Sequence, residues 1–261
     1  MSKIIKELYN YRYLLYMITW REIRIKYKQS IMGIMWAVLM PMIIVSAGVL
    51  VKYAFSRLSG SPFTGDQIAT VSVKSIPWAF FVSSIRFASN SLIGNANLVT
   101  KIYMPREIFP IAAILSQFVD FIVATFVLTF IFCFTNIGVS VYLLWIPVIV
   151  AILLLFIMGL GIFVSAASLF FRDVKYLVEV FLTFAIFFTP VFYEVTLFGE
   201  WANILLLNPV APLLESLNHV VVLKQSPDVK WLIYSAIVAV ITYFLSYKFF
   251  KKLEPAFAES I

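Results

Sequence analysis

Six apolar runs, each close to or above the length that crosses a bilayer, take up most of this 261-residue chain. They lie at about 31–55, 76–95, 108–136, 142–170, 175–192 and 230–250. A spanning helix needs about 20 mostly apolar residues. Hydrocarbon offers no water to backbone amides, so such runs must be helical. The sequence is 62% apolar and 13% charged, whereas a soluble domain is roughly half apolar and a quarter charged. The expected fold is therefore an all-α integral membrane protein with six transmembrane helices, forming one transmembrane domain over 1–261. An even number of crossings puts both termini on one side.

The basic residues say which side. Lys3, Lys6, Arg12, Arg21, Arg24, Lys26 and Lys28 precede the first run. Lys101 and Arg106 follow the second, Arg172 and Lys175 follow the fourth, and Lys248, Lys251 and Lys252 lie in the tail. Together these are fourteen of the twenty Lys and Arg. Cytoplasmic loops carry the excess of Lys and Arg, so both termini are expected in the cytoplasm. The net charge of +7 then suits anionic lipid headgroups rather than nucleic acid. The first run is too long for a signal-peptide core, so no cleavable leader is expected. Cys133 is the single cysteine, which excludes an intramolecular disulfide. The six tryptophans fall near the ends of the runs, as an interfacial belt would.

Residues 1–30 read as an amphipathic helix on the inner membrane surface. Ile4, Ile5, Leu8, Leu15 and Ile18 recur at helical spacing and supply its apolar side. The tail covers 251–261. Residues 193–229 form the longest connection. Two apolar stretches within it, 196–207 and 209–223, are too short to span and read as interfacial or re-entrant helices before the last span. Asn208-Pro209 is the expected turn between them, because the residue before proline disfavours helix.

No enzyme signature emerges. His219 is the only histidine, and a lone His in an apolar helix is more often structural than catalytic. No His, Cys, Asp or Glu cluster has metal-ligand spacing. No Gly-rich phosphate loop is present, so any ATP must be bound by another chain. No cofactor is expected on this one.

The cytoplasmic loop 95–107 mixes polar and apolar residues, with a short helix ended by Pro105. Leu98, Val99, Ile102 and Tyr103 have no place in a plain aqueous loop. Either a partner's groove or the membrane surface would cover them. Two intramembrane charges also need an account, since such residues are costly and face a bundle interior or a water-filled cavity. Arg86 lies about ten residues into the second run from outside, roughly 15 Å. Asp120 lies about twelve residues into the third from inside, roughly 18 Å. A pairing between them is expected, with separate snorkelling as the alternative. Glu179 sits one turn from Lys175, which suggests a local role. Phe181, Phe184 and Phe188 share one face of the fifth run. Such a stripe meets lipid or another helix, or else offers π-faces to sugar rings.

Several of these segments carry a common resemblance. The passage Trp20-Arg21-Glu22, through Lys26-Tyr27-Lys28-Gln29-Ser30, to Met35-Trp36 leads a basic arm directly into the Pro41-bearing first run. Loop 95–107, Phe171-Arg172-Asp173-Val174, Thr189-Pro190-Val191-Phe192-Tyr193 and Asn208-Pro209 follow in order. Together they resemble the permease subunits of ABC transporters that export bacterial polysaccharides and polyol-phosphate polymers. The resemblance runs from about residue 20 to the last span.

That family implies a homodimer with two copies of a nucleotide-binding ATPase subunit, which holds ATP and Mg. It implies a lipid-linked polysaccharide substrate of O-antigen type and a place in the bacterial cytoplasmic membrane. Loop 95–107 would be the coupling helix, with Asn97, Leu98, Val99, Lys101, Ile102, Tyr103 and Arg106 meeting the ATPase. Spans one and five would line the substrate path, with Trp36, Phe181, Phe184, Phe188 and Tyr193 as its residues. The alternatives are a teichoic acid exporter of the same architecture, an integral membrane enzyme using His219 or Glu215 on a lipid-linked sugar, and a passive channel.

Overall fold

A computed structural model describes residues 10–28, 32–60, 64–101, 104–134 and 138–257. Among these residues the chain is helical with no strand. The order is α1 (Arg12–Tyr27), α2 (Trp36–Ser59), α3 (Gly65–Asn90), α4 (Ala96–Lys101), α5 (Ile108–Phe134), α6 (Ile146–Phe170), α7 (Arg172–Ala185), α8 (Ala202–Leu206), α9 (Val210–Val221) and α10 (Val229–Leu253). Ile4, Ile5, Leu8, Gln29, Ser30, Ile102 and Tyr103 lie outside the described residues.

Among the described residues, five helical stretches are long and apolar enough to cross a membrane: Trp36–Leu58, Gly65–Asn90, Ile108–Phe130, Val141–Phe170 and Val229–Ala256. The expected fifth run differs. α7 has 14 residues, about 21 Å of helix, and continues only as a 3₁₀ turn, Ile186–Phe188. Thr189 is extended, as the residue before Pro190 must be. Arg172, Asp173, Lys175 and Glu179 polarise the first two turns of α7.

The second run is also corrected. α3 begins at Gly65 rather than near 76. Thr70, Ser72, Lys74 and Ser75 made this stretch look like a loop, yet all four are buried. α3 is the central helix and packs against α2, α5, α6, α7 and α9. These four polar residues are shielded by protein, so lipid hydropathy does not report them. Trp78 is consequently not interfacial. It is 3% exposed and stacks on Phe81 at 5.3 Å.

Two apolar clusters hold the bundle. The larger joins Phe80, Phe81, Phe121, Leu153, Ile157 and Leu214 from α3, α5, α6 and α9. The second joins Ile18, Leu92, Val99, Phe109, Ile162 and Phe250. Ile18 and Leu15 of α1 therefore face protein rather than only a membrane surface. Tyr13, Tyr16, Met17 and Trp20 of the same helix are exposed. α6 and α10 approach most closely at Gly159, where a methyl group would come within 2.8 Å of the Tyr243 amide nitrogen.

The 193–229 connection folds as a helical hairpin, with α8 and α9 on either side of the Asn208-Pro209 turn. Asn208 Oδ1 accepts from the Val210 amide at 3.2 Å, and its Nδ2 donates to Thr189 Oγ1 at 2.9 Å. The turn is thereby tied to the end of the α7 segment.

Candidate functional site

A cavity of about 600 Å³ opens between α1, α2, α3, α5 and α7. Trp36 and Pro41 wall it from α2, Phe80 and Arg86 from α3, and Asp120 from α5. Its size lies in the range of small-molecule sites. Aromatic and aliphatic side chains form most of the wall, and the charges are grouped into two separate pairs.

The first pair lies at the end of α1. Lys26 Nζ donates to Asp120 and to Gln117 Oε1 at 2.9 Å. Tyr27 Oη donates to Asp120 Oδ1 at 2.5 Å. Burial, and then this hydrogen bond and the charge of Asp120, push the Tyr27 phenol well above its ordinary range. Lys26 also lies 5.1 Å from the Phe87 ring centre. Asp120 thus anchors the C-terminal end of α1 to the middle of α5.

The second pair is Arg86 with Glu179. Arg86 Nε is 2.8 Å from Glu179 Oε1 and 2.9 Å from Oε2. The expected Arg86–Asp120 pair is not formed. Both residues line the one cavity, but each has another partner. The depth estimate failed because α3 ends at Asn90, which puts Arg86 in the second-last turn rather than the middle. Glu179, expected to play a local role beside Lys175, instead reaches across to α3.

The segment expected to meet an ATPase subunit forms α4, six residues long. Asn97, Thr100 and Lys101 are exposed, while Leu98 is half-buried. Val99 is 1% exposed, inside the second cluster. Its apolar side is thus covered by this chain's own core, which corrects the expectation that Val99 waits for a partner. Arg106 also turns inward. Its guanidinium donates to the Glu254 carbonyl, and its amide donates to the Glu254 carboxylate at 3.2 Å.

Glu107, with a 1% exposed side chain, lies 2.9 Å from Lys251 Nζ, which is 3.0 Å from Glu254. Arg21 donates to Asn95. These contacts gather the N-terminal arm, loop 95–107 and the tail at one end of the bundle.

The residues expected to line a substrate path divide. Trp36 lines the cavity. Phe181, Phe184 and Phe188 are 68%, 58% and 68% exposed, and they face away from it. Phe187 joins them on the outside. Tyr193 donates its hydroxyl to the Phe187 carbonyl at 2.9 Å. Its ring is tilted on Phe198 at 5.2 Å. Burial and the charge of Glu215 raise its pKa.

Sequence reasoning missed these ion pairs, and the most deeply buried of all as well. Lys74, fully buried in α3, donates to Glu215 of α9 at 2.6 Å. It also donates to the Tyr193 carbonyl at 3.5 Å. Lys74 stood just outside the run assigned as 76–95, so its burial had no signal in hydropathy. Nearby, Lys52 of α2 pairs with Glu194 at 2.9 Å. Among the described residues no three His, Cys, Asp or Glu side chains form a metal site.

Comparison with known proteins fits this architecture. The profile of the ABC-2 type transporter family matches residues 13–222. An O-antigen export system permease protein, RfbA, of Myxococcus xanthus is 27% identical over 264 positions, covering all of both chains. One of the same name from Klebsiella pneumoniae is 28% identical, covering 81% of this chain and 82% of that protein. A second from Klebsiella pneumoniae is 27% identical with the same coverage. The family match takes in α1, the cavity, α4 and the helical hairpin, and on that ground the chain belongs to the ABC-2 type transporter membrane family.

Proposed function

We propose that this chain is the membrane subunit of an ATP-driven ABC exporter that moves lipid-linked polysaccharide of O-antigen type across the bacterial inner membrane. The full-length similarity to an O-antigen export permease carries this reading. The geometry supports it. A polymer path needs a wall that one copy does not close by itself. α2 offers one: Ala37, Gly48 and Ser56 are its buried residues among those described, and its other faces are largely open. α7 and the 3₁₀ turn after it offer another through four exposed phenylalanines. A second copy brought against α2 and α7 would enclose a channel lined by aromatic rings. Such rings suit a sliding sugar chain, because stacking has little register preference.

The remaining parts follow from this reading. α7 with its 3₁₀ turn reaches about 27 Å, close to the ~30 Å hydrocarbon core, and supplies a sixth crossing. The α8–α9 hairpin is then re-entrant from the outer side, where Thr189 and Lys74 pair with its Asn208 and Glu215. The basic end faces the cytoplasm. There α4 meets the ATPase subunit, two copies of which hold ATP and Mg. Binding and hydrolysis on that partner move α4, and the link from Arg106 to Glu254 carries the motion to α10.

The deciding experiment is purification of the tagged chain from its own host. An ATPase subunit should copurify in equal amount. Deletion of the chain should strand lipid-linked polymer on the cytoplasmic face. Recovery without an ATPase, together with normal surface polysaccharide in the deletion strain, would refute the reading.

A further inference from the structure

A second cavity, about 360 Å³, lies at the end of the bundle away from the basic residues, between α3, α8, α9 and the start of α10. Its wall includes Glu194, Glu215, Asn218, His219, Asp228 and Trp231. The transport path described above uses none of its interior. The volume is within the range of small-ligand sites, but the polar groups are unusually dense.

Two of the three carboxylates in it are ion-paired. Glu215 is held by Lys74 and Glu194 by Lys52. Asp228 caps α10 by accepting from the Lys230 amide at 3.0 Å. Each carboxylate keeps acceptor capacity, and the α10 N-terminus offsets part of the Asp228 charge. Asn218 supplies an independent indication. It is 5% exposed, lines the cavity, and its buried Oδ1 accepts no hydrogen bond. A buried acceptor without a donor is costly and calls for a ligand or water to satisfy it. Trp231 adds an aromatic wall. It is braced edge-on by Tyr234 at 5.6 Å, and Tyr234 is itself anchored to the Leu207 carbonyl at 2.8 Å.

Paired or capped acceptors, an unsatisfied amide, an imidazole and a fixed indole match a neutral polyhydroxylated ring. Hydroxyls donate to carboxylates and to the amide oxygen. The ring's C–H face packs on the indole. We propose that this cavity binds one or two pyranose units of the exported polymer at the outer end of the permease, an inference that rests on the transport reading. Its location on the α8–α9 hairpin, beside the Lys74–Glu215 pair, would let a bound sugar report on the outer end of the bundle.

The test uses the full chain, purified in lipid nanodiscs. The probe is lipid-free oligosaccharide cut from the host's own surface polysaccharide, and binding is followed by saturation-transfer NMR. The wild type should bind saturably. Trp231→Ala and Asn218→Ala should weaken binding about tenfold or more. Trp231→Phe should retain most of it, and Trp201→Ala, an exposed tryptophan outside the cavity, should match the wild type. Monodisperse elution of each variant excludes misfolding, and Trp231→Phe keeps the comparison valid if Trp231→Ala fails to fold. Undiminished binding in Trp231→Ala and Asn218→Ala would overturn the site. So would competition by calcium ions alone, which would make it a cation site. Loss of surface polysaccharide on deleting the chain, combined with unaltered binding in both variants, would leave the transport reading intact and remove only this one. Normal surface polysaccharide after deletion would remove both.

Discussion

Arg86 Nε bridges both carboxylate oxygens of Glu179, at 2.8 and 2.9 Å, and so joins α3 to α7 across the rim of the larger cavity. The two side chains are 46% and 36% exposed, so solvent or headgroups screen the pair and its strength is moderate. Arg86→Ala and Glu179→Ala should therefore be coupled by about 1 kcal/mol in a double-mutant cycle of unfolding. Arg86→Ala and Asp120→Ala, which have separate partners, should add to within about 0.5 kcal/mol. Denaturant titration of the detergent-solubilised chain reads both cycles. Strong coupling of Arg86 to Asp120 would contradict the geometry.

Lys74 and Glu215 should behave differently, because the lysine is fully buried. Removing either partner orphans a charge in the protein interior, at a cost of about 3–5 kcal/mol. Lys74→Met and Glu215→Leu should each lower the unfolding midpoint sharply. The double variant should recover much of the loss, since a buried pair exchanged for apolar groups of similar volume is often neutral. Thermal unfolding followed by size-exclusion elution decides the matter. A double variant as unstable as the sum of the singles would mean that Lys74 has another essential partner.

These two pairs mark where the chain was legible and where it was not. Long apolar helices and the Asn208-Pro209 turn follow from local rules of length, periodicity and proline geometry, and they are found in the fold. α3 was misplaced because hydropathy assumes lipid as the solvent. Residues 69–75 of α3 are instead solvated by protein, with Lys74, Ser72 and Thr70 turned inward. That shift alone moved Arg86 from mid-span to near a helix end, and the pairing with Asp120 failed with it. Asp120 as an intramembrane anchor was legible. Its partners Lys26 and Tyr27 were not, because they come from α1, which sequence reasoning laid on a membrane surface. The burial of Val99 escaped for the same reason: its neighbours Ile18 and Phe250 are distant in sequence.

The two sides of α4 should separate folding from coupling. Val99→Asp would bury a carboxylate without a partner, which costs several kcal/mol, and should lower the yield of folded permease. Lys101→Glu and Asn97→Asp change exposed groups and should leave stability within about 0.5 kcal/mol. They should nevertheless weaken ATPase copurification and export. Immunoblotting of membranes beside a pull-down of the ATPase subunit distinguishes the two classes. Full export by Lys101→Glu with Asn97→Asp would remove α4 from the ATPase interface.

Phe181, Phe184 and Phe188 give the last contrast. Each is more than half exposed in the single chain, so none contributes much to its core. Alanine at all three should change the stability of one copy little, by about 0.5 kcal/mol per site. If a second copy and a moving polymer cover this face, the same triple variant should slow export well beyond any fall in protein level. Cysteine at 184, in a Cys133→Ser background, tests the cover directly. Crosslinking between copies in native membranes should appear at position 184 and be absent at Tyr13, which is exposed on α1 away from α7. Efficient export by the triple alanine variant, with no crosslink at 184, would return these rings to contact with lipid.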